Sequence, residues 1–365
     1  MSESPAVGYV GLHNHHAGPY LETLATFPVE VTSACAPAGK GVPDIEALPD
    51  VPVYDDPESL LDVADVDVLW LTLPNRDAPA VIDAATERGV DVFTEKPAAR
   101  TADDLRPVAE RVRDREATVC PAYVWRGHPI ARDVRDRARE GFFGTPRAVE
   151  ARYVASALRH RDASHYLFDA EASRGGILQW LGVHWIDLVP WLLDDPIVAV
   201  NAQVAGPTDG SPDVDEHPTV DGSPDVEDGA TVQFRSESGA LGTLQCGYYL
   251  REGRYDADLR IYGDDGRCSW DPLGRTFGFD GETRLELEDG GDEWPSTPTR
   301  TIVHEYDPAP GYGGSWGREY VRRFLAAREG EGTLPADLSD ALTVLSVLDA
   351  AYESAAAGEW VRVEN

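Results

Sequence analysis

The sequence has very little lysine. Its 365 residues include 32 lysines and arginines, and only two of these, Lys40 and Lys96, are lysines. The other 30 are arginines, so the chain uses a guanidinium almost wherever a cation is needed. An arginine keeps its proton in a protein, whereas a lysine partly removed from water can release its proton. A lysine in this chain is therefore a candidate for a role that arginine cannot fill.

The chain also lacks an excess of positive charge, paired cysteine motifs and long apolar runs. Its formal net charge of −33 would repel a nucleic acid or an anionic membrane, and its acidity, spread over every segment, is typical of a surface adapted to high salt. The four cysteines stand far apart, so neither a zinc site nor a disulfide framework is predicted. No apolar run approaches about 18 residues, and no basic segment leads into an apolar one near the start. We therefore expect no membrane span, no signal peptide and a cytoplasmic location.

The first third of the sequence alternates between strand and helix patterns. Short apolar runs predict strands near 7–11, 29–35, 66–73, 90–94 and 117–123. Helical patterns lie between and after them, at 19–24, 57–63, 78–88 and 101–115. This alternation predicts an α/β fold whose first domain, residues 1–125, is a doubly wound parallel sheet, with the loop after its first strand where a dinucleotide fold places its phosphate loop.

The pattern changes after residue 126. Helical patterns occur at 129–140, 177–193, 315–328 and 336–357, and strands separated by Gly and Asp turns occupy 197–304. Within that region the hexamer at 209–214 is repeated at 221–226, which we interpret as a surface loop insertion. We predict a second α/β domain, residues 126–365, with a mostly antiparallel sheet.

The β-type run that starts at residue 90 ends abruptly in Glu95-Lys96-Pro97. In a cleft, an ammonium at Lys96 could have its pKa lowered towards neutrality and serve as an acid or base, with Glu95 as its partner. Pro97 fixes the backbone where the strand stops. An ordinary turn with an exposed lysine explains the tripeptide equally well, so the choice depends on the rest of the sequence.

Several motifs occur in an order that resembles the Gfo/Idh/MocA oxidoreductases. They are Gly11, Leu73-Pro74-Asn75, Glu95-Lys96-Pro97, Tyr123-Val124-Trp125-Arg126 ahead of Pro129, Gly175-Gly176, and Gly182-Val183-His184 with Asp187. The resemblance covers essentially the whole chain. It implies hydride exchange between a nicotinamide and a sugar, polyol or related compound, with Lys96 and His184 flanking the reacting carbinol. It also implies an N-terminal Rossmann domain that binds the dinucleotide and a C-terminal α/β domain with a large open sheet. That sheet often forms an oligomer interface, so we expect a homo-oligomer, a dimer or a tetramer.

Three departures from the family pattern stand out. The loop after the first strand keeps only Gly11 of the usual three glycines, and the rings of His13 and His16 would hinder approach to a pyrophosphate unless they act as donors to it. Ala36 stands where an acid would bind the adenine ribose, while Lys40 could meet a 2′-phosphate, so NAD and NADP both stay open. Trp180 replaces the aspartate expected four residues before His184.

The sequence thus predicts three sets of site residues and no metal. The catalytic pair is Lys96 and His184. The cofactor set is Gly11, His13, Asn14, His16, Ala36, Lys40, Leu73, Pro74, Asn75, Glu95, Lys96 and Pro97. The substrate set is Trp125, Arg126, Arg159, His160, Tyr166, Trp180 and Asp187. Two other functions compete with a dehydrogenase: a sugar-processing enzyme that retains NAD without net redox change, and a non-catalytic binding protein that kept the fold.

The acidic surface leads to a prediction about salt. Repulsion within a net charge of −33 is screened only when ions are abundant. The Debye length falls from about 10 Å at 0.1 M salt to about 3 Å at 1 M. We therefore expect the melting temperature to fall clearly when salt is lowered from about 1 M to about 0.1 M. Equal melting temperatures at the two concentrations would contradict the adaptation to high salt.

Overall fold

The computed structural model describes residues 4–37, 39–161, 165–206, 225–273, 282–290, 298–305 and 309–364. The first copy of the repeated hexamer, 209–214, and residues 221–224 of the second copy lie outside the described residues. The chain divides into two compact units. Unit 1 comprises Met1–His128 and Asp307–Thr343, and unit 2 comprises Pro129–Tyr306 and Val344–Asn365.

The described part of unit 1 contains a six-stranded parallel sheet with helices between its strands. Its elements up to residue 121 are β1 (Ala6–Val10), α1 (Ala17–Leu24), β2 (Glu30–Cys35), β3 (Val53–Tyr54), α2 (Pro57–Val63), β4 (Val68–Leu71), α3 (Ala78–Glu87), β5 (Asp91–Thr94), α4 (Ala102–Arg113) and β6 (Val119–Pro121). The strand order is β3-β2-β1-β4-β5-β6, and every neighbouring pair is parallel. The predicted doubly wound sheet is confirmed, with the strand order of dinucleotide-binding folds.

Unit 2 contains the open sheet. Its elements up to residue 305 are α5 (Pro129–Arg139), β7 (Pro146–Ser156), α6 (Ala170–Ser173), α7 (Val183–Leu193), β8 (Ile197–Ala205), β9 (Gly229–Ser236), β10 (Leu241–Leu250), β11 (Asp256–Gly263), β12 (Gly266–Trp270), β13 (Glu282–Asp289) and β14 (Thr299–Glu305). The chain closes with α8 (Gly314–Arg328), α9 (Leu338–Ala357) and β15 (Val361–Arg362). Across the described residues the strand order is β14-β13-β12-β11-β7-β10-β9-β8-β15. The sheet is mostly antiparallel, as predicted, but β7 and β10 pair in parallel.

One face of the open sheet is covered by α7. Ile186 and Val189 of α7 share a small apolar cavity with Val232 of β9 and Leu244 of β10. The indole N–H of Trp185 donates to the Arg152 carbonyl oxygen of β7 at 3.0 Å. Alternate side chains of the strands are exposed, which is the period of a sheet with one buried face.

The core of unit 1 is aromatic. The rings of Trp70 on β4 and Phe93 on β5 stack with centroids 3.9 Å apart, and Phe324 of α8 packs against Phe93 at 5.5 Å. The hydroxyl of Tyr320 on α8 donates to the Pro121 carbonyl oxygen at 2.5 Å. These contacts explain why residues 307–343 are grouped with unit 1, whereas the sequence division assigns all of 126–365 to the second domain. None of the helices in the described part of the chain combines the length and apolarity needed to cross a membrane.

Candidate active site

The loop after β1 begins with a glycine that the backbone requires. Gly11 has φ +102°, and a Cβ atom on it would lie 2.4 Å from the carbonyl oxygen of Thr72. The Thr72 hydroxyl donates to the Gly11 carbonyl oxygen at 2.8 Å, and the Asn14 N–H donates to the same oxygen at 3.0 Å. The chain therefore turns sharply against the end of β4 before it enters α1.

His16 ends this loop and contacts the Glu-Lys-Pro motif. Its ring Nδ1 lies 2.7 Å from Glu95 Oε1, and its ring centroid is 4.3 Å from that of Tyr312. The buried Asn14 side chain accepts the His16 backbone N–H at 2.8 Å. His13 is exposed. The Nδ1 of His16 is thus engaged with a carboxylate, and the predicted role of His13 and His16 as pyrophosphate donors stays a prediction.

Glu95 and Lys96 are both buried, each 6% exposed, directly after β5. Glu95 Oε2 accepts the Lys96 backbone N–H at 3.2 Å, and the Lys96–Pro97 peptide bond is cis. Burial by itself would raise the pKa of Glu95, but the charge and hydrogen bond of His16, with help from Lys96, lower that pKa below its usual value. Burial lowers the pKa of Lys96 to about 8, although the Glu95 charge opposes the change. Lys96 therefore has the proton affinity of an acid or base that works near neutral pH.

The remaining predicted cofactor residues follow other strands of the same sheet. Leu73, Pro74 and Asn75 come directly after β4, and the Pro74 carbonyl oxygen accepts N–H groups at the start of α3. Ala36 follows β2, is buried, and donates its N–H to the Tyr54 carbonyl oxygen at 3.0 Å. Lys40 is exposed in the next turn. Because these strands are parallel, their carboxyl ends meet at one edge, where such sheets bind nucleotides.

Arg126 occupies a buried position within unit 1. Its guanidinium donates to the Pro335 carbonyl oxygen at 3.1 Å and to Asp340 at 3.0 Å, and it lies 5.6 Å from the Tyr123 ring centroid. Trp125 beside it is also buried. These contacts give Arg126 a structural role, because they join the segment around residues 335–340 to the segment that carries Arg126. The predicted place of Trp125 and Arg126 beside a substrate stays a prediction.

In unit 2, a π-helical turn precedes α7 and carries Trp180. The turn spans Leu178–Gly182, and the backbone N–H of Trp180 donates to the Gly176 carbonyl oxygen at 2.9 Å. His184 and Asp187 follow on α7 and are buried, while Trp180 is half-buried. The wider π turn ends at Gly182 and α-helical geometry begins at Val183, so Trp180 and His184 lie about one turn apart.

Glu227 fixes the start of this turn, and no motif in the sequence pointed to this role. Its carboxylate accepts the N–H groups of Gly176 at 2.8 Å and Leu178 at 3.0 Å, and the Tyr352 hydroxyl at 2.9 Å. A Cβ atom on Gly175 would lie 1.9 Å from the Tyr352 hydroxyl, which explains the glycine there. Burial raises the pKa of Glu227, and the hydrogen bonds from neutral donors offset that rise only in part.

Trp180 belongs to a cluster of aromatic and cationic side chains. Its ring stacks near His165 with centroids 6.2 Å apart, and the Arg161 guanidinium lies 5.9 Å from the Trp180 ring and 4.7 Å from the Tyr248 ring. The predicted substrate residue Tyr166 packs on His165 at 4.6 Å. Tyr248 was missed as a site candidate, whereas Arg161 directly follows the predicted pair in the sequence.

That predicted pair, Arg159 and His160, is exposed in a short 3-10 turn. Among the residues that the structure describes, no group of three or more His, Cys, Asp or Glu side chains is arranged to hold a metal ion. The four cysteines are buried and unpaired with one another.

Family models for the two parts of the chain match in sequence order. The model described as "Oxidoreductase family, NAD-binding Rossmann fold" matches residues 6–123, and the model described as "GFO/IDH/MocA C-terminal domain" matches residues 131–269. The chain belongs to the Gfo/Idh/MocA oxidoreductase family. This result confirms the resemblance seen in the short motifs.

Curated relatives from the Gfo/Idh/MocA family cover most of the chain. D-xylose 1-dehydrogenase (NADP(+)) 2 of Haloferax volcanii is 25% identical over 312 residues, which are 85% of this chain and 85% of the relative. Levoglucosan dehydrogenase of Pseudarthrobacter phenanthrenivorans is 24% identical over 333 residues, 84% of this chain and 82% of the relative. Inositol 2-dehydrogenase 1 of Saccharopolyspora erythraea is 31% identical, but over only 47% of this chain and 48% of the relative.

Solved structures share the fold over the full length. An oxidoreductase domain protein from Kribbella flavida superposes with a TM-score of 0.82, at 21% identity and 100% coverage of both chains. A levoglucosan dehydrogenase in complex with NADH and levoglucosan gives a TM-score of 0.81 at 21% identity, covering 99% of this chain and 100% of that one.

The residues of unit 1 fit the nicotinamide dinucleotide that the family domain binds. The left-handed backbone at Gly11 leaves no room for a side chain against Thr72, so the loop keeps the sharp turn that such a domain needs after its first strand. The edge formed by the ends of β1, β4 and β5 is the topological position for a dinucleotide. At the adenosine end, Ala36 offers no carboxylate to a ribose, in keeping with a preference that stays open between NAD and NADP.

A substitution at Gly11 tests this loop. Gly11→Ala would force a left-handed backbone on a residue with a Cβ and a clash with Thr72. We expect a loss of about 2 kcal/mol or more in the free energy of unfolding, together with weaker NAD(P) binding. Gly18→Ala in α1 is the matched control, because its Cβ would lie 3.6 Å from Ile45, an ordinary contact. Chemical denaturation and calorimetric titration measure both effects, and equal stability of the two variants would contradict the strained turn.

Proposed function

We propose that the chain is an NAD(P)-dependent dehydrogenase that oxidises or forms a hydroxyl-bearing carbon of a sugar, polyol or related compound. Membership of the oxidoreductase family supports the reaction class. The substrate class is supported by relatives named for xylose, levoglucosan and inositol. A non-catalytic binding protein would not account for the perturbed Lys96.

The observation that carries the proposal is the buried Lys96 with its lowered pKa at the nucleotide edge of unit 1. With a pKa of about 8, about one Lys96 side chain in four is neutral at pH 7.5, against about one in a thousand for an ordinary lysine. When bound, the nicotinamide supplies the site that accepts or returns the hydride. In oxidation, neutral Lys96 takes the hydroxyl proton on Nζ. In reduction, the ammonium returns that proton to the developing alkoxide.

We propose His184 as the second catalytic residue, on the strength of the family motif. Its place on α7 is consistent with a defined orientation: it is buried, and the Tyr153 ring lies 6.3 Å from its own. The π turn anchored by Glu227 precedes it, and such turns occur often at functional sites. Asp187 lies three residues further along the same helix, so it shares the face of His184.

Trp180 and its neighbours are proposed to face the substrate. A half-buried indole presents an apolar surface on which the C–H face of a sugar ring can pack. Arg161 beside it adds donors for a hydroxyl or carboxylate of the substrate. Arg159, His160 and Tyr166 remain proposals for the rim of the same cluster. The cytoplasmic location, the homo-oligomeric state and the adaptation to high salt also remain proposals.

Substitution of Lys96 tests the function directly. Lys96→Arg keeps a cation of similar reach that cannot lose its proton, so we expect turnover to fall by about 10²-fold or more while cofactor affinity changes little. Lys96→Met should behave similarly. Turnover is measured with NAD and NADP on xylose, inositol and levoglucosan, and affinity by calorimetry in high salt. Full activity of Lys96→Arg would eliminate Lys96 as the proton relay.

The rate should also depend on pH through Lys96. Because its pKa is lowered to about 8, sugar oxidation should rise with pH through that value, and carbonyl reduction should fall through it. Lack of heat on titration of the unaltered protein with either nucleotide at millimolar concentration would instead favour a binding protein without a cofactor.

Trp180→Asp restores the family pattern at the position before His184. We expect the KM for the sugar that packs on the indole to rise about tenfold or more, because a lost aromatic contact of about 1.4 kcal/mol corresponds to that factor. Turnover of small polyols should be retained or gained. Trp180→Phe, which keeps an aromatic surface, is the matched control. If both variants merely lower the melting temperature and leave KM unchanged, Trp180 is a packing residue.

A further inference from the structure

Two side chains and one backbone group in unit 1 form a series of contacts from the glycine loop to the residue proposed as the proton relay. His16 Nδ1 meets Glu95 Oε1 at 2.7 Å, and the other carboxylate oxygen, Oε2, accepts the Lys96 backbone N–H at 3.2 Å. Both oxygens of the buried Glu95 are therefore held, one by the loop before α1 and one by the residue that carries the ammonium. His16 stands where the usual loop has its third glycine, so a loop with that glycine has no ring to contact Glu95.

The other titratable groups around Glu95 stay neutral. Tyr9 of β1 and Tyr20 of α1 face it, and burial raises the pKa of both phenols far above the neutral range. Tyr312, ahead of α8, packs on the rings of His16 and Tyr20. The ring of His15 lies 3.8 Å from that of His16. The lowered pKa of Glu95 keeps its carboxylate charged near neutral pH, and the pKa of Lys96, about 8, lies close to that range.

Building on the proposed function, we propose that His16 is a positioning residue for the proton relay: it orients the Glu95 carboxylate and sets how strongly that carboxylate stabilises the Lys96 ammonium. A donor on Oε1 draws charge away from the carboxylate, whether the imidazole is neutral and donating or protonated. The Glu95 charge is the influence that raises the pKa of Lys96 against burial. His16 therefore keeps the Lys96 ammonium easier to deprotonate than Glu95 alone would leave it.

This arrangement predicts opposite effects for two substitutions. His16→Gln leaves Glu95 with a weaker donor and a fuller negative charge, so the pKa of Lys96 should rise, by about 0.5. Glu95→Gln removes the negative charge, so the pKa of Lys96 should fall, by about 1 or more. In the double variant the effect of His16→Gln should vanish, because it acts through the carboxylate.

The scarcity of lysine makes the measurement direct. Protein labelled with ¹³Cε-lysine gives two lysine signals, from Lys96 and from the exposed Lys40, which serves as an internal reference in every titration. The signals are followed from neutral to alkaline pH in high salt, without nucleotide or sugar. His13→Gln, an exposed histidine of the same loop, is the matched control and should leave the Lys96 titration unchanged.

The proposal is supported if the Lys96 pKa rises in His16→Gln, falls by more in Glu95→Gln and does not change in His13→Gln. An unchanged Lys96 pKa in His16→Gln, or the same shift in the Glu95→Gln background, overturns it. If His16→Gln does not fold, Glu95→Gln still decides whether the carboxylate acts on Lys96: a fall in the Lys96 pKa supports the proposal, and an unchanged Lys96 pKa overturns it.

The pH dependence of kcat/KM separates this inference from the proposed function. If both hold, the inflection in the rate moves with the Lys96 titration, towards higher pH in His16→Gln. A Lys96 titration that moves while the rate profile does not would leave the three-residue coupling intact and remove Lys96 from catalysis. A purely structural role for His16 would lower stability or turnover without moving either titration.

Discussion

The burial of the Glu95 carboxylate is the constraint on which the organisation of unit 1 depends. A charge removed from water is costly unless opposite charge and hydrogen bonds compensate for it. Here the compensation comes from His16. Its loop follows β1 while Glu95 follows β5, and the strand order β1-β4-β5 places these two strands two inter-strand spacings apart. With strands about 4.8 Å apart, that distance is about 10 Å. The left-handed turn at Gly11, pressed against Thr72 at the end of β4, sends the loop in that direction.

The scarcity of lysine acquires a physical meaning in this setting. Exposed arginines pair with acids in fork geometry, as in Arg152 with Asp256 and Arg322 with Glu319. Such exposed pairs contribute little individually, but the guanidinium is well suited to them. At position 96 the proposed proton relay reverses the requirement, since that role needs a cation that can become neutral within the working pH range. Lysine meets that requirement, and arginine does not.

The parts of the fold that follow local rules could be predicted from the sequence. Helix α2 begins and ends at Pro57 and Val63 as predicted, because Asp56 caps it and a proline opens it. The parallel sheet followed from alternation, and Lys96 followed from composition and from its position after a strand. The parallel pairing of β7 with β10, the π turn and the role of Glu227 could not be predicted. Glu227 lies 51 residues from Gly176, so its carboxylate becomes a backbone acceptor only after unit 2 has folded.

Two buried glutamates make similar hydrogen bonds but differ in the charge of their neighbours. Glu95 and Glu227 each accept backbone N–H groups and one side-chain donor. Glu95 has His16 and Lys96 as charged neighbours, and its pKa is lowered. Glu227 has neutral donors, Gly176, Leu178 and Tyr352, and its pKa is raised. A carboxylate whose charge is retained by its surroundings can act electrostatically on a nearby lysine, whereas one whose charge is disfavoured serves best as a fixed acceptor. We therefore assign Glu95 to the proposed proton relay of unit 1, whereas Glu227 holds the start of the π turn in unit 2.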